Sequence, residues 1–173
     1  MPVRLHETEA VLAARPDVAD AMVMDYGGDA PVIILVKAHQ FCSGPELRDL
    51  CALSLGHDAS RIAVILVQEI PRLDGDYPDP DRLLEEAPYI YRYELPATPT
   101  EQLLVTIWND VLGRQRTGVL DDFLDLGGDS LGAVRLITHI HDKFGTPVDI
   151  AEFFGAPSVR GVAAIIDAAQ GAA

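Results

Sequence analysis

The chain is poor in cysteine, in lysine and in positive charge generally. Cys42 and Cys51 are its only thiols, too few for a disulfide framework and ordinary for a reducing compartment. Both read as buried apolar side chains. Lys37 and Lys143 are its only lysines, which narrows any chemistry that needs an amine. No apolar run reaches membrane-spanning length, and the opening MPVRLHETEAVL has neither the order nor the cleavage site of a signal peptide. A soluble, cytoplasmic protein without a membrane partner is expected. Thirteen basic against 27 acidic residues give a net charge of −14, which repels phosphate backbones and argues against nucleic acid as a partner. The excess is shared: residues 1 to 96 carry 8 basic and 17 acidic side chains (−9), and residues 97 to 173 carry 5 and 10 (−5).

Metal chemistry finds little support. His39, Cys42, Cys51 and His57 lack the spacing of a zinc knuckle. Asp74, Asp76, Asp79 and Asp81 alternate like a cation loop, but Pro78 and Pro80 interrupt it, so a solvated acidic loop is expected. His139 and His141, two apart on a helix, face different directions. No metal site is assigned.

Periodicity divides the chain. A first helix runs from Glu7 to Arg15 and stops at Pro16-Asp17. Ala21 to Tyr26 and Pro31 to Val36 read as strands joined through Gly27-Gly28-Asp29. Ser43-Gly-Pro-Glu46 has the form of a capping box, after which Leu47, Leu50, Cys51 and Leu55 share a helical face until Gly56. Arg61 to Val67 is a continuous apolar run of strand length. Residues 74 to 97, rich in proline and carboxylates, read as loop and linker with a weak helical stretch around Asp81 to Glu86.

Beyond the linker the pattern is helical throughout. Thr98-Pro-Thr-Glu101 opens a helix whose stripe is Leu103, Leu104, Ile107, Trp108, Val111 and Leu112, ending at Gly113. A second runs from Ser130 to Phe144, with Leu131, Val134, Ile137, Ile140 and Phe144 facing inward and Gly145 at its end. Short turns around Val148 to Phe154 and a helix from Ser158 to Ala168 complete a small antiparallel bundle.

Asp121-Asp-Phe-Leu-Asp-Leu-Gly-Gly-Asp-Ser130-Leu131 resembles the attachment sequence of peptidyl carrier (thiolation) domains of nonribosomal peptide synthetases, D-x-F-F-x-L-G-G-x-S-L. The resemblance extends from about Tyr93 to Ala169, taking in Tyr93-Glu-Leu-Pro-Ala-Thr-Pro-Thr-Glu101 and Ala156-Pro-Ser-Val159. It implies a non-catalytic carrier whose Ser130 takes a 4'-phosphopantetheine arm and holds aminoacyl or peptidyl thioesters. The residue types suit that chemistry. Gly127 and Gly128 let the backbone turn tightly without a Cβ in the way of the incoming group, and a helix start at Ser130 favours the resulting phosphodiester. A phosphopantetheinyl transferase with a basic surface would supply Mg²⁺ and base. The ordinary alternative for Ser130 is that of a helix N-cap. Asp129 either caps the helix or adds to the acidic surface. Leu131 reads as core, although the resemblance turns the residue after the attachment serine toward partners.

The N-terminal half, through Leu5 to Leu12 and Arg15 to Ala21, looks like the small C-terminal subdomain of adenylation domains. That family's next loop reads P-x-x-P-x-G-K, with a lysine that contacts the acyl phosphate. Here Pro71-Arg-Leu-Asp-Gly-Asp76 is one residue shorter and has aspartate at the lysine's place, inverting the charge that meets the substrate. The adenylating role is therefore not carried over. The expected fold is α+β: a small α/β adenylation-type subdomain (1 to 73), a linker (74 to 97) and an all-α four-helix carrier bundle (98 to 173). Ser130, Gly128, Asp129 and Leu131 form the expected site. Partners implied are the transferase, an adenylating enzyme in trans, and condensation or tailoring enzymes. The alternatives are an acyl carrier of a polyketide or fatty-acid pathway, part of a split adenylating enzyme, or an interaction module whose serine is never modified.

Overall fold

The computed structural model describes residues 2–71, 78–87 and 89–171. It comprises two compact units, Met1–Arg92 and Tyr93–Ala173. Asp74 and Asp76, with the loop on which the adenylation resemblance fails, lie outside the described residues. None of the helices among the described residues is long and apolar enough to cross a membrane.

The first unit runs α1 (Pro2–Ala13), β1 (Val18–Asp25), β2 (Val32–Ala38), α2 (Gly44–Leu55), β3 (Ile62–Leu66), α3 (Pro80–Glu86) and β4 (Ile90–Arg92). Its sheet has the order β1-β2-β3-β4, with β2 and β3 parallel and both outer pairs antiparallel. β2 is apolar at every position from Val32 to Val36 and wholly buried there, as a central strand covered on both faces must be. On one face Ile33 and Leu35 join Met24 and Ile65, with Leu83 and Leu84 of α3 packed against them. The α1 and α2 helices pack on the strands and on each other. Ser43 caps α2 by accepting from the Glu46 amide at 3.2 Å, and Gly56 closes it at φ 69°. Cys42 and Cys51 are buried, and burial pushes the Cys51 thiol up to about 12.

Residues 74 to 97 are not simply a linker. α3 occupies the stretch from Pro80 to Glu86, where a weak helix is expected from sequence, and β4 follows it. β4 pairs Ile90, Tyr91 and Arg92 with Ile65, Val64 and Ala63. Three residues next to prolines are too short to show a period of two. What holds them is tertiary: the Tyr91 ring lies over Gly44, where a Cβ would come within 2.1 Å of it.

The second unit consists of α4 (Pro99–Leu112), α5 (Ser130–Phe144), α6 (Ile150–Gly155) and α7 (Val159–Gly171). Leu104, Trp108, Phe123, Leu136, Ile140, Phe153, Val159, Val162 and Ile166 form its core. Trp108, Phe123 and Phe153 meet at ring-centre separations of 6.4, 6.1 and 5.2 Å, the range in which tilted and edge-to-face aromatic contacts are favourable. The inward face of α5 differs from the expected stripe. Ala133, Leu136 and Ile140 are its buried residues, whereas Leu131 is 60% and Val134 55% exposed. Two apolar ridges run along this helix: Ala133, Leu136 and Ile140 are buried, and Ile137 and Phe144 of the expected stripe are partly buried against the core. Leu103 on α4 is likewise exposed.

The segment before α4 belongs to this unit. Glu94 accepts at its carbonyl from the Val119 amide (3.0 Å), and its carboxylate pairs with Arg160 of α7 at 2.6 Å. Arg160 also donates to Glu101 at 2.9 Å, and the other Glu101 oxygen accepts from the Ala97 amide at 2.6 Å. Burial pushes the Glu101 carboxyl up, but the Ala97 amide and the Arg160 guanidinium outweigh it, and the group sits below its ordinary value of 4.5.

A carboxyl so depressed contributes stability that is complete above about pH 4.5 and is lost as pH falls through the lower folded value. Glu101→Gln should therefore lower the melting temperature of the second unit at about pH 7 but much less at about pH 3. Thermal melts of wild type and variant across that range check this; a constant gap would place the effect elsewhere.

Candidate functional site: the turn at Ser130

The turn is built from Asp121 to Ser130 by a series of local bonds. Asp121 is buried and takes the Gly118 amide at 2.8 Å. The Phe123 amide donates to the Pro157 carbonyl at 2.7 Å, and Asp122 bridges to Ser158, so the turn is fastened to the start of α7. The chain then folds back on itself: Leu126 donates to Asp122, Gly127 to Leu124 and Gly128 to Phe123, at 3.0, 2.9 and 2.9 Å. Gly127 adopts φ 88°, a conformation in which a side chain would be strained.

Gly128 has a different reason to be glycine. A Cβ there would lie 2.3 Å from the Phe123 ring, so its hydrogen makes room for the core rather than for an incoming group, contrary to the expectation from sequence. Phe123 is fully buried, and truncating such a ring typically costs about 3–5 kcal/mol. The ring thus holds the backbone of the turn from beneath.

Asp129 is the N-cap of α5. Its side chain accepts from the Gly132 amide at 2.7 Å and its carbonyl from Ala133 at 2.8 Å. This resolves the two readings of Asp129 in favour of capping, and it removes the ordinary explanation of Ser130. Ser130 is the first residue of the helix, not its cap, and is exposed. Its hydroxyl has no hydrogen-bond partner among the described residues. Leu131 is exposed beside it, which corrects its assignment to the core: an apolar side chain on the first turn of α5, pointing to water.

The other candidates are placed elsewhere. His139 and His141 are exposed on α5. Lys37 lies on β2 within 3.8 Å of Glu69. The fastening of the turn to Pro157 and Ser158 was not foreseen, although Pro157-Ser158 ahead of an apolar helix was its visible trace.

An exposed serine thus opens α5, relieved of capping by the preceding aspartate and held on a core-anchored turn. Residues 102–166 match the family described as the phosphopantetheine attachment site. The second unit is a peptidyl carrier domain, and its prosthetic group is 4'-phosphopantetheine. The dimodular nonribosomal peptide synthase of Bacillus subtilis (strain 168) is 34% identical over 179 residues, covering 98% of this chain and 7% of the synthase. Tyrocidine synthase 2 of Brevibacillus parabrevis is 41% identical over 81 residues, 47% of this chain and 2% of that protein. The chain thus spans a small fraction of these relatives' length. Among solved structures, one of the phosphopantetheine transferase Sfp with coenzyme A and a peptidyl carrier protein matches at a TM-score of 0.43 and 28% identity, covering 44% of this chain and 99% of that one.

Gly128→Ala should force the Phe123 ring or the turn to shift and cost about 1–3 kcal/mol. Denaturant unfolding of the second unit measures the loss, and an unchanged midpoint would show that Gly128 is not packed against the ring.

Proposed function

We propose that Ser130 is the attachment residue and that the protein carries aminoacyl or peptidyl groups as thioesters in nonribosomal peptide-type biosynthesis in the cytoplasm. The observation that carries this reading is the division of labour at the start of α5, where Asp129 caps the helix and leaves the exposed Ser130 hydroxyl unengaged. In the attachment step, the Ser130 oxygen attacks the phosphorus of coenzyme A that bears the pantetheine. The pyrophosphate P–O bond breaks, adenosine 3',5'-bisphosphate leaves, and the serine proton passes to a base on the transferase. The first backbone amides of α5 favour the phosphodiester so formed. The arm's terminal thiol then supplies the thioester. The chain's part is to present and orient; no group on the turn is arranged as a base for Ser130.

The first unit is, in this proposal, an adenylation-type subdomain without adenylating activity. Supporting it are the sheet with its flanking helices, the loop sequence ending in Asp76 where the family's lysine would stand, and similarity to a synthetase over nearly the whole chain. Its role is to dock an adenylating enzyme acting in trans and so raise that enzyme's concentration near the carrier. The phosphopantetheinyl transferase and condensation or tailoring enzymes are the other partners, and the acidic surface suits basic partner faces.

Incubation with coenzyme A, Mg²⁺ and a broad-specificity transferase should add the mass of one arm, and Ser130→Ala should abolish the addition. Intact-mass spectrometry decides; an arm on the variant would overturn the assignment of Ser130. For the first unit, the full chain should be loaded by its adenylating enzyme with a higher kcat/KM than the fragment from Tyr93 onward. Equal efficiency for the two would dismiss docking.

A further inference from the structure

Several observations converge on Arg160 and the segment from Tyr93 to Thr98, and none concerns the attachment turn. The Arg160 guanidinium reaches Glu94 at 2.6 Å and Glu101 at 2.9 Å. Its own backbone amide donates to the Val119 carbonyl at 2.9 Å, while the Val119 amide donates to the Glu94 carbonyl at 3.0 Å. Glu101 closes the set by accepting from Ala97, and the Arg116 guanidinium sits 5.8 Å from the centre of the Tyr93 ring. The segment is therefore held to the carrier at Glu94 and Ala97 by side chains of α4 and α7 and by the backbone of Val119.

Immediately upstream, the chain is held to the first unit. β4 ends with Arg92 paired to Ala63. Between that pair and the Glu94 contacts stands one residue, Tyr93, whose ring is itself engaged. The length of free chain ahead of a domain sets how far that domain can travel.

We propose that Arg160, with Glu94 and Glu101, is a latch that sets the reach of the carrier: closed, it fastens residues 93–96 to the bundle, and open, it adds them to the tether, while Ala97 stays on Glu101 and Thr98 caps α4. Four residues released into extended chain add up to about 14 Å of reach. The construction suits reversible opening. The Arg160 and Glu94 side chains are 42% and 43% exposed, so their pair is of the surface kind that is individually weak and sensitive to salt. Glu101, 5% exposed, stays on the bundle when Glu94 lets go. The latch rests on the contacts of the second unit alone and stands whether or not Ser130 is the attachment residue.

The test uses the full chain and two variants, Arg160→Ala and Glu94→Gln, read by amide hydrogen exchange and small-angle X-ray scattering. Opening of the latch should speed exchange at the Val119 amide by at least about threefold and enlarge the maximum dimension of the full chain by up to about 14 Å. Protection in α4, α5 and α7 should be retained. If Arg160→Ala unfolds the bundle, which those amides report, Glu94→Gln carries the decision, because it leaves the Arg160–Glu101 pair in place. Faster exchange with unchanged dimensions would show that the contacts do not limit reach. Unchanged exchange at the Val119 amide in Glu94→Gln would show that there is no latch.

Discussion

The ring of Phe123 lies where the Cβ of residue 128 would otherwise be, and the geometry of the turn follows from that contact. Because the ring is fully buried among Trp108 and Phe153, its position is set by the core of the bundle. Because Gly128 rests on it and returns its amide to the Phe123 carbonyl, the backbone leading to Asp129 has little freedom. Asp129 then meets the amide of Gly132, and the helix begins with an exposed serine. The exposure of Ser130 is thus a property of the interior: a side chain at residue 128 would displace the ring or the turn, and with it the start of α5.

Much of this was legible in the sequence, and the parts that were not share a physical cause. Capping residues are local, so Ser43, Thr98, Gly56, Gly113 and Gly145 mark helix ends correctly without knowledge of the fold. The motif around Ser130 is contiguous, so its residue types are legible without the fold. The inward face of α5 was misread because Leu131 and Val134 are as apolar as Leu136 and Ile140, and only the packing of the bundle chooses between the ridges. β4 escaped notice because its three residues carry no period and are held by a distant glycine, Gly44. The role of Gly128 was legible as glycine but not as a seat for a ring, since that depends on which residue stands below it.

The two units are stabilised in different ways. In the first, a central apolar strand is covered on both faces, and burial of β2 dominates. In the second, an aromatic cluster fills the centre while charged groups tie down the periphery: Arg160 is drawn above its usual range by Glu101 and then Glu94. Ionic contacts of this kind hold a segment in a defined place at modest energy, whereas the apolar contacts beneath fix the helices. A protein that must move one part while preserving another is well served by that separation.

Cys42 and Cys51 are both buried, and burial raises the Cys51 thiol to about 12. Thiolates are the species that attack thioesters and alkylating reagents, so while the chain is folded its own sulfurs are poor acceptors of an acyl group. In the proposed loading of Ser130, the thiol of the arm competes only with two buried sulfurs. Burial of both cysteines slows any passage of an acyl group onto them, and a thiol-selective dye applied to the native chain reaches neither readily.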